Sequence, residues 1–157
     1  MDNYLLLKLI HILSAVVLVG TGTGIAYFML MASRTNNVQA IYITANHVIL
    51  ADWIFTTPAV LIQLMTGVLL MNELGYSYTS LWFYWVIALF ILVGLCWLPV
   101  LRIQYRLREI AKTCLETNKL TAEFNRLIRL WIILGVPAFF AILMIFWLMV
   151  FKPFPLV

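Results

Sequence analysis

Charge is the scarcest property of this sequence: Asp, Glu, Lys and Arg make up 10% of its 157 residues, whereas 65% are hydrophobic. Mean hydropathy is +1.05. Soluble domains carry roughly a quarter charged residues, so a water-soluble globule is excluded and an integral membrane protein is implied. Cysteine is nearly as scarce. Cys96 lies in an apolar run and Cys114 in a polar one, neither in a CxxC or other metal-ligand spacing, so there is no disulfide framework. Period-two alternation is missing from the long apolar runs, which argues against a membrane β-barrel. The formal charge of +4 is not a nucleic-acid signature, because the basic residues cluster beside apolar runs. No nucleophile and base pair, no paired carboxylates and no nucleotide motif stand out.

What the chain has in quantity is long apolar runs. A spanning helix needs about 20 predominantly apolar residues, and four stretches qualify: Tyr4 to Met31, Val48 to Met71, Leu81 to Leu101 and Leu127 to Val150. The sequence therefore predicts an all-α membrane protein, a single-domain four-helix bundle of up-down-up-down order. The first span follows Met1-Asp2-Asn3 with no basic n-region or clear cleavage site, and is read as a retained helix. The polar segment from Arg102 to Trp131 keeps helical periodicity, and Glu109, Lys112 and Glu116 stand at mutually supporting spacings. The third helix is thus predicted to extend into the cytoplasm to about Glu116, with a turn at Thr117-Asn118 and Thr121 as N-cap of the last helix. Predicted helices cover about residues 4–31, 48–71, 81–116 and 121–150, the second with a start that could lie before Val48. Loop one carries Arg34, and loop three carries Arg102, Arg106, Arg108, Lys112, Lys119, Arg126 and Arg129. By the positive-inside rule these loops are cytoplasmic and both termini lie outside.

Polar residues inside the spans are the candidates for function, because burying them in hydrocarbon is costly. In the first span Lys8, His11, Gly22 and Met29 share one helical stripe, and Gly20 with Gly24 forms a GxxxG that predicts close helix contact. In the second, Asp52, Thr56, Gln63, Thr66 and Gly67 form another stripe. For Asp52 a structural ion pair with Arg102 or Arg129 is the first expectation, and a proton relay the second. Pro58, Pro99 and Pro137 predict packing kinks, each disturbing the carbonyl four residues earlier. With a rise of about 1.5 Å per residue, His11 lies roughly 10 Å from mid-membrane towards the outer face and His47 roughly 20 Å towards the inner one. The two cannot share one metal. At the depth of His11 the same arithmetic places Thr66, Gly67, Tyr84, Trp85, Met144 and Trp147, an aromatic surround in which a neutral imidazole could ligate haem iron. Met65, Met144 and Met149 are candidate sixth ligands, although most of the seven methionines serve as filler. Lys8 and Lys152, at the outer rim, would pair with acidic groups of such a ring or snorkel to lipid headgroups.

Lys8-x-x-His11 in the first helix, Thr56-Thr57-Pro58-Ala59 followed by Gly67 in the second, and Val150-Phe151-Lys152 after Pro137 in the fourth resemble the four-helix core of HemJ, the bacterial membrane protoporphyrinogen oxidase. The ADW and CWLPV segments and GTGTG are similar to a family of predicted bacterial inner-membrane proteins related to HemJ and to the CopD copper-resistance proteins. The resemblance implies haem b held through His11 and a bacterial inner membrane, so that both outward termini are periplasmic. It also has departures: Tyr84 and Val86 follow Trp82 where HemJ carries a His and a Lys, and Leu134-Gly135-Val136-Pro137 stands where HemJ has Asn-Glu-x-Pro. Haem binding is therefore implied more strongly than oxidase activity.

Together these readings give a leading expectation of a membrane haem protein with a redox or porphyrin-related role. Its site would comprise His11, Lys8, Gly67, Tyr84, Trp85, Trp147 and Lys152, with Met65 or Met144 as sixth ligand. The alternative is a cofactor-free scaffold that pairs with itself through GxxxG or docks a membrane partner. Copper handling of the CopD type ranks third, since no dense Met or His cluster is present.

Overall fold

The computed structural model describes residues 2–154. Five α-helices follow one another: α1 (Asp2–Arg34), α2 (Val38–Ala51), α3 (Thr57–Glu73), α4 (Leu81–Thr113) and α5 (Ala122–Phe151), with a π-helical turn at Asp52–Thr56 between α2 and α3. The second span is the continuous rod of α2, π turn and α3, so four rods are long and apolar enough to cross a bilayer. All are longer than the roughly 30 Å hydrocarbon core requires.

Helix starts are set by capping side chains. Asn37 accepts a hydrogen bond from the Ala40 N–H at 3.1 Å, Ser80 from Phe83 at 3.3 Å and Thr121 from Phe124 at 3.2 Å. Each satisfies a donor that the first helical turn leaves without a partner. Thr121 caps where the sequence predicts. The second span, however, begins at Val38, because Asn37 caps it there and Val38, Ile41, Ala45 and Val48 form a buried stripe. The third stops at Thr113 rather than Glu116, where the Cys114 N–H turns back to the carbonyls of Ile110 and Ala111. Asn36 and Asn118 complete the two turns at φ 54° and 49°, in the left-handed region that asparagine tolerates. The predicted Glu109–Lys112–Glu116 ladder is replaced by Arg106–Glu123 at 2.9 Å and Arg108–Glu109 at 2.6 Å.

The apolar residues sort into two cores. The larger unites the end of α1 (Ile25, Met29), the start of α2 (Val38, Ile41), the end of α4 (Ile103, Leu107, Ile110) and the start of α5 (Phe124, Ile128). We call this the basic end, since Arg34 and the Arg102–Arg129 series flank it. The smaller core gathers Met71, Trp82 and Leu148 at the other end, where the Trp82 indole donates to the Leu148 carbonyl at 2.8 Å. Between the cores, α1 pairs with α3 and α4 with α5. Among the described residues no Cα of α3 comes within 8 Å of one in α4 or α5, and α3 meets them only through side chains such as Met71. The outer faces carry exposed Leu, Ile, Phe and Trp side chains, as lipid contact requires.

Two local readings change. Pro58 produces more than a packing kink: it has no hydrogen for the Ile54 carbonyl, and the ladder widens ahead of it so that Thr57 N–H bonds back five residues to Asp52. Pro99 and Pro137 lie inside continuous α4 and α5. The GxxxG contact is not made within this chain. A Cβ at Gly20 or Gly24 would meet nothing within 4 Å, because α1 buries its Ser14, Ile25 and Met29 face instead.

Leu107 is fully buried where α4 crosses α2. Leu107→Ala should therefore lower unfolding stability by about 2–5 kcal/mol, whereas Ile133→Ala, on the exposed face of α5, should cost less than half as much; denaturation in mixed micelles measures both.

Candidate functional site

The pairing of α1 with α3 fixes His11. Its Nδ1 lies 2.8 Å from Thr66 Oγ1 and its Nε2 lies 2.8 Å from Gln63 Nε2. The Thr66 hydroxyl spends its hydrogen on the Ile62 carbonyl at 2.6 Å, so it accepts from His11 Nδ1–H. Gln63 Nε2 then donates to the His11 Nε2 lone pair, and Gln63 Oε1 accepts from the Ser14 hydroxyl at 2.6 Å. Ser14 and Thr66 are buried. The four side chains form one continuous chain of donors and acceptors, and the Ser14 hydroxyl also lies 2.9 Å from the His11 carbonyl. Gly67 completes the contact: a Cβ there would lie 3.5 Å from His11 Cε1, which shows how closely α3 approaches the ring.

Of the residues predicted to surround His11, the structure brings Thr66 and Gly67 to it. Tyr84 and Trp85 on α4 and Trp147 on α5 are about half exposed on the lipid face, as are Met65 and Met144. Trp147 stacks at 5.6 Å on Phe151. Lys8 is exposed and lies over the Tyr4 ring, while Lys152 donates to the Tyr76 hydroxyl at 2.9 Å. His47 is exposed. A haem ligated by His11 does not fit this arrangement, because both ring nitrogens are engaged and α3 closes against the imidazole. The physical reason is that equal depth along the membrane normal does not place residues on facing sides of a bundle. Nor do three His, Cys, Asp or Glu side chains gather into a metal site among the described residues.

A second polar group, assembled by different contacts, faces the space that the two helix pairs leave between them. This cavity has a volume of about 490 Å³, and its walls are mainly apolar, with Phe90, Phe139 and Phe146 among them. Among the described residues five buried polar atoms have no hydrogen-bond partner: Asp52 Oδ2, Thr56 Oγ1, Trp97 Nε1, Gln104 Oε1 and Trp131 Nε1. All five belong to residues that line the cavity. The predicted ion pair of Asp52 is not formed: Arg102 and Arg129 are exposed and Arg106 is held by Glu123. Arginine heads at the ends of spans reach water more cheaply than they reach a buried carboxylate. The turn that carries Asp52 reaches α4 through a side-chain bond, from the Trp53 indole to the Tyr105 hydroxyl at 2.7 Å, one residue along from Asp52 and Gln104 respectively. Sequence reasoning found Asp52 and Thr56 from their stripe, but passed over Ser14, Trp97, Gln104 and Trp131. The spacing of Trp97 and Gln104, two helical turns apart, was the available signal.

With the Gln63 amide oriented to donate to Nε2, His11 is the neutral Nδ1–H tautomer, and ¹⁵N spectra of histidine-labelled protein should show a protonated Nδ1 and an unprotonated, hydrogen-bonded Nε2. Gln63→Leu leaves His11 Nε2 without its partner and should destabilise the protein by about 1–3 kcal/mol, while Gln63→Glu should change the tautomer signal.

No characterised protein and no solved structure matches this chain. A family model described as a predicted integral membrane protein, DUF2269, matches residues 5–153. With four membrane-length helices and a match over nearly its full length, the chain belongs to the DUF2269 family of integral membrane proteins.

Proposed function

We propose that this protein binds an apolar, ring-bearing molecule drawn from the bilayer, in the cavity between its two helix pairs. The carrying observation is that three helices each place a glycine on the cavity wall. Gly22 of α1, Gly94 of α4 and Gly135 of α5 line it, and a Cβ on any of them would meet nothing within 4 Å. Glycine inside a helix costs about 0.5–1 kcal/mol relative to alanine, and here no close helix approach accounts for it. The glycines keep space open. The volume lies within the roughly 300–1,000 Å³ of small-molecule sites, and the wall residues Val136 and Phe140, at 50% and 62% exposure, connect it with the lipid-facing surface.

The setting that goes with this reading is a bacterial inner membrane with the basic end in the cytoplasm and both termini periplasmic, supported by the clustering of Arg and Lys at that end. A redox or porphyrin-related role fits through the cavity, where a planar ring meets aromatic walls, and not through ligation by His11. A scaffold role is the second reading. The unused Gly20–Gly24 face favours it, since a second copy could pack there; a cross-linked dimer through Thr21→Cys with no bound small molecule would support it.

Gly94→Leu and Gly135→Leu test the leading reading. Wild-type protein in nanodiscs should show saturable quenching of tryptophan fluorescence by a brominated alkylbenzene, and the double variant should be folded, thermally more stable and unquenched beyond the lipid background. Quenching that never saturates in the wild type would sink the proposal. Protein from haem-replete cells should show no Soret band that His11→Ala removes.

A further inference from the structure

The cavity is apolar over most of its wall, yet five buried polar atoms without partners belong to that wall, and their chemistry is selective. Asp52 Oδ2 and Gln104 Oε1 are acceptors, Trp97 Nε1 and Trp131 Nε1 are donors, and Thr56 Oγ1 is either. Asp52, Gln104, Thr56 and Trp131 are all more than nine-tenths buried. An unpaired buried polar group is destabilising, so five together in one wall are a standing cost that a hydrogen-bonding occupant of the cavity would offset. They are also held by specific backbone. The widened π turn carries both Asp52 and Thr56 to the cavity side, and π turns recur at functional sites. The Trp53–Tyr105 hydrogen bond ties that turn to α4 beside Gln104.

Building on the proposed binding of an apolar ring, we infer that the ligand is a lipophilic quinol or quinone, with its oxygen-bearing head towards the Asp52–Gln104 side and its tail leaving into the bilayer. The inventory decides between ligand classes. A hydrocarbon chain would leave every polar atom unpaired. A cation would match Asp52 and Gln104 but strand both indole N–H groups, and an anion would match the indoles but face the Asp52 carboxylate. A ring bearing hydroxyl groups donates to Asp52 and Gln104 and accepts from the indoles. Its oxidised form keeps the indole bonds and gives up the two it would donate. Phe90, Phe139 and Phe146 line the cavity as flat apolar partners for the ring. The site is thus built to hold the reduced form more tightly than the oxidised one, through two acceptors that only a hydroxyl can satisfy.

Binding of a tritium-labelled ubiquinol analogue with a ten-carbon tail to the full chain in nanodiscs tests this, with unlabelled quinol, the corresponding quinone and decylbenzene as competitors. The quinol should compete best, the quinone less well, and decylbenzene more than about tenfold more weakly than the quinol, as expected when a site's polar groups lose their partners. Asp52→Leu with Gln104→Leu should weaken the quinol about tenfold and leave saturable quenching by the brominated alkylbenzene intact. Trp97→Phe with Trp131→Phe should weaken the quinone more than the quinol, a signature that a loss of packing would not give. Equal competition by decylbenzene, or quinol binding unchanged by both pairs of substitutions in folded protein, would overturn the inference and leave the apolar-cavity reading standing. If the alkylbenzene probe also fails to saturate in the wild type, both fall.

Discussion

The structure depends on one constraint: in hydrocarbon, a polar group must find its partner within the protein. His11, Ser14, Gln63 and Thr66 meet that constraint by pairing with one another across α1 and α3. The network draws α3 against α1 and away from α4 and α5, which pair separately. The cavity is the space left when the two helix pairs are joined at the ends by two apolar cores. The same constraint, unmet on the cavity wall, is what gives Asp52, Thr56, Trp97, Gln104 and Trp131 their functional interest.

The division of labour between the two polar groups follows. Around His11 every donor has an acceptor, the groups are spread over two helices, and a ligand would have to break bonds to enter. Such a closed network serves specificity of packing. Along the cavity the polar atoms come from α4, α5 and the second span, and none is spent on another. Open valences beside open volume are the conditions for binding. Gly22, Gly94 and Gly135 stand on the cavity wall with nothing within 4 Å of an added Cβ, and the π turn ahead of Pro58 carries Asp52 and Thr56.

Position on the membrane normal was readable from the chain; direction around the helix axis was not. Depth arithmetic grouped His11 correctly with Thr66 and Gly67, which lie on the helix that meets it. It grouped Tyr84, Trp85 and Trp147 there as well, although these face outwards. Helical stripes did better within one helix, where Asp52, Thr56, Gln63 and Thr66 do share a side. They could not say that this side splits, with Thr66 turned to His11 and Asp52 turned to the cavity. The widened π turn between them changes the phase of the stripe.

The sequence by itself determined the four spans, the all-helical class, the basic end and the intramembrane polar residues, because hydrophobic length, cap chemistry and charge distribution are local properties of the chain. Only the tertiary structure decided which helices pair, that Asp52 keeps an unpaired carboxylate oxygen, and that His11 has no nitrogen to spare. Those outcomes rest on the rotation of each helix about its own axis. In a bilayer, where every face of a spanning helix is apolar enough to meet lipid, hydrophobicity leaves that rotation undetermined, and side-chain hydrogen bonds together with close packing set it.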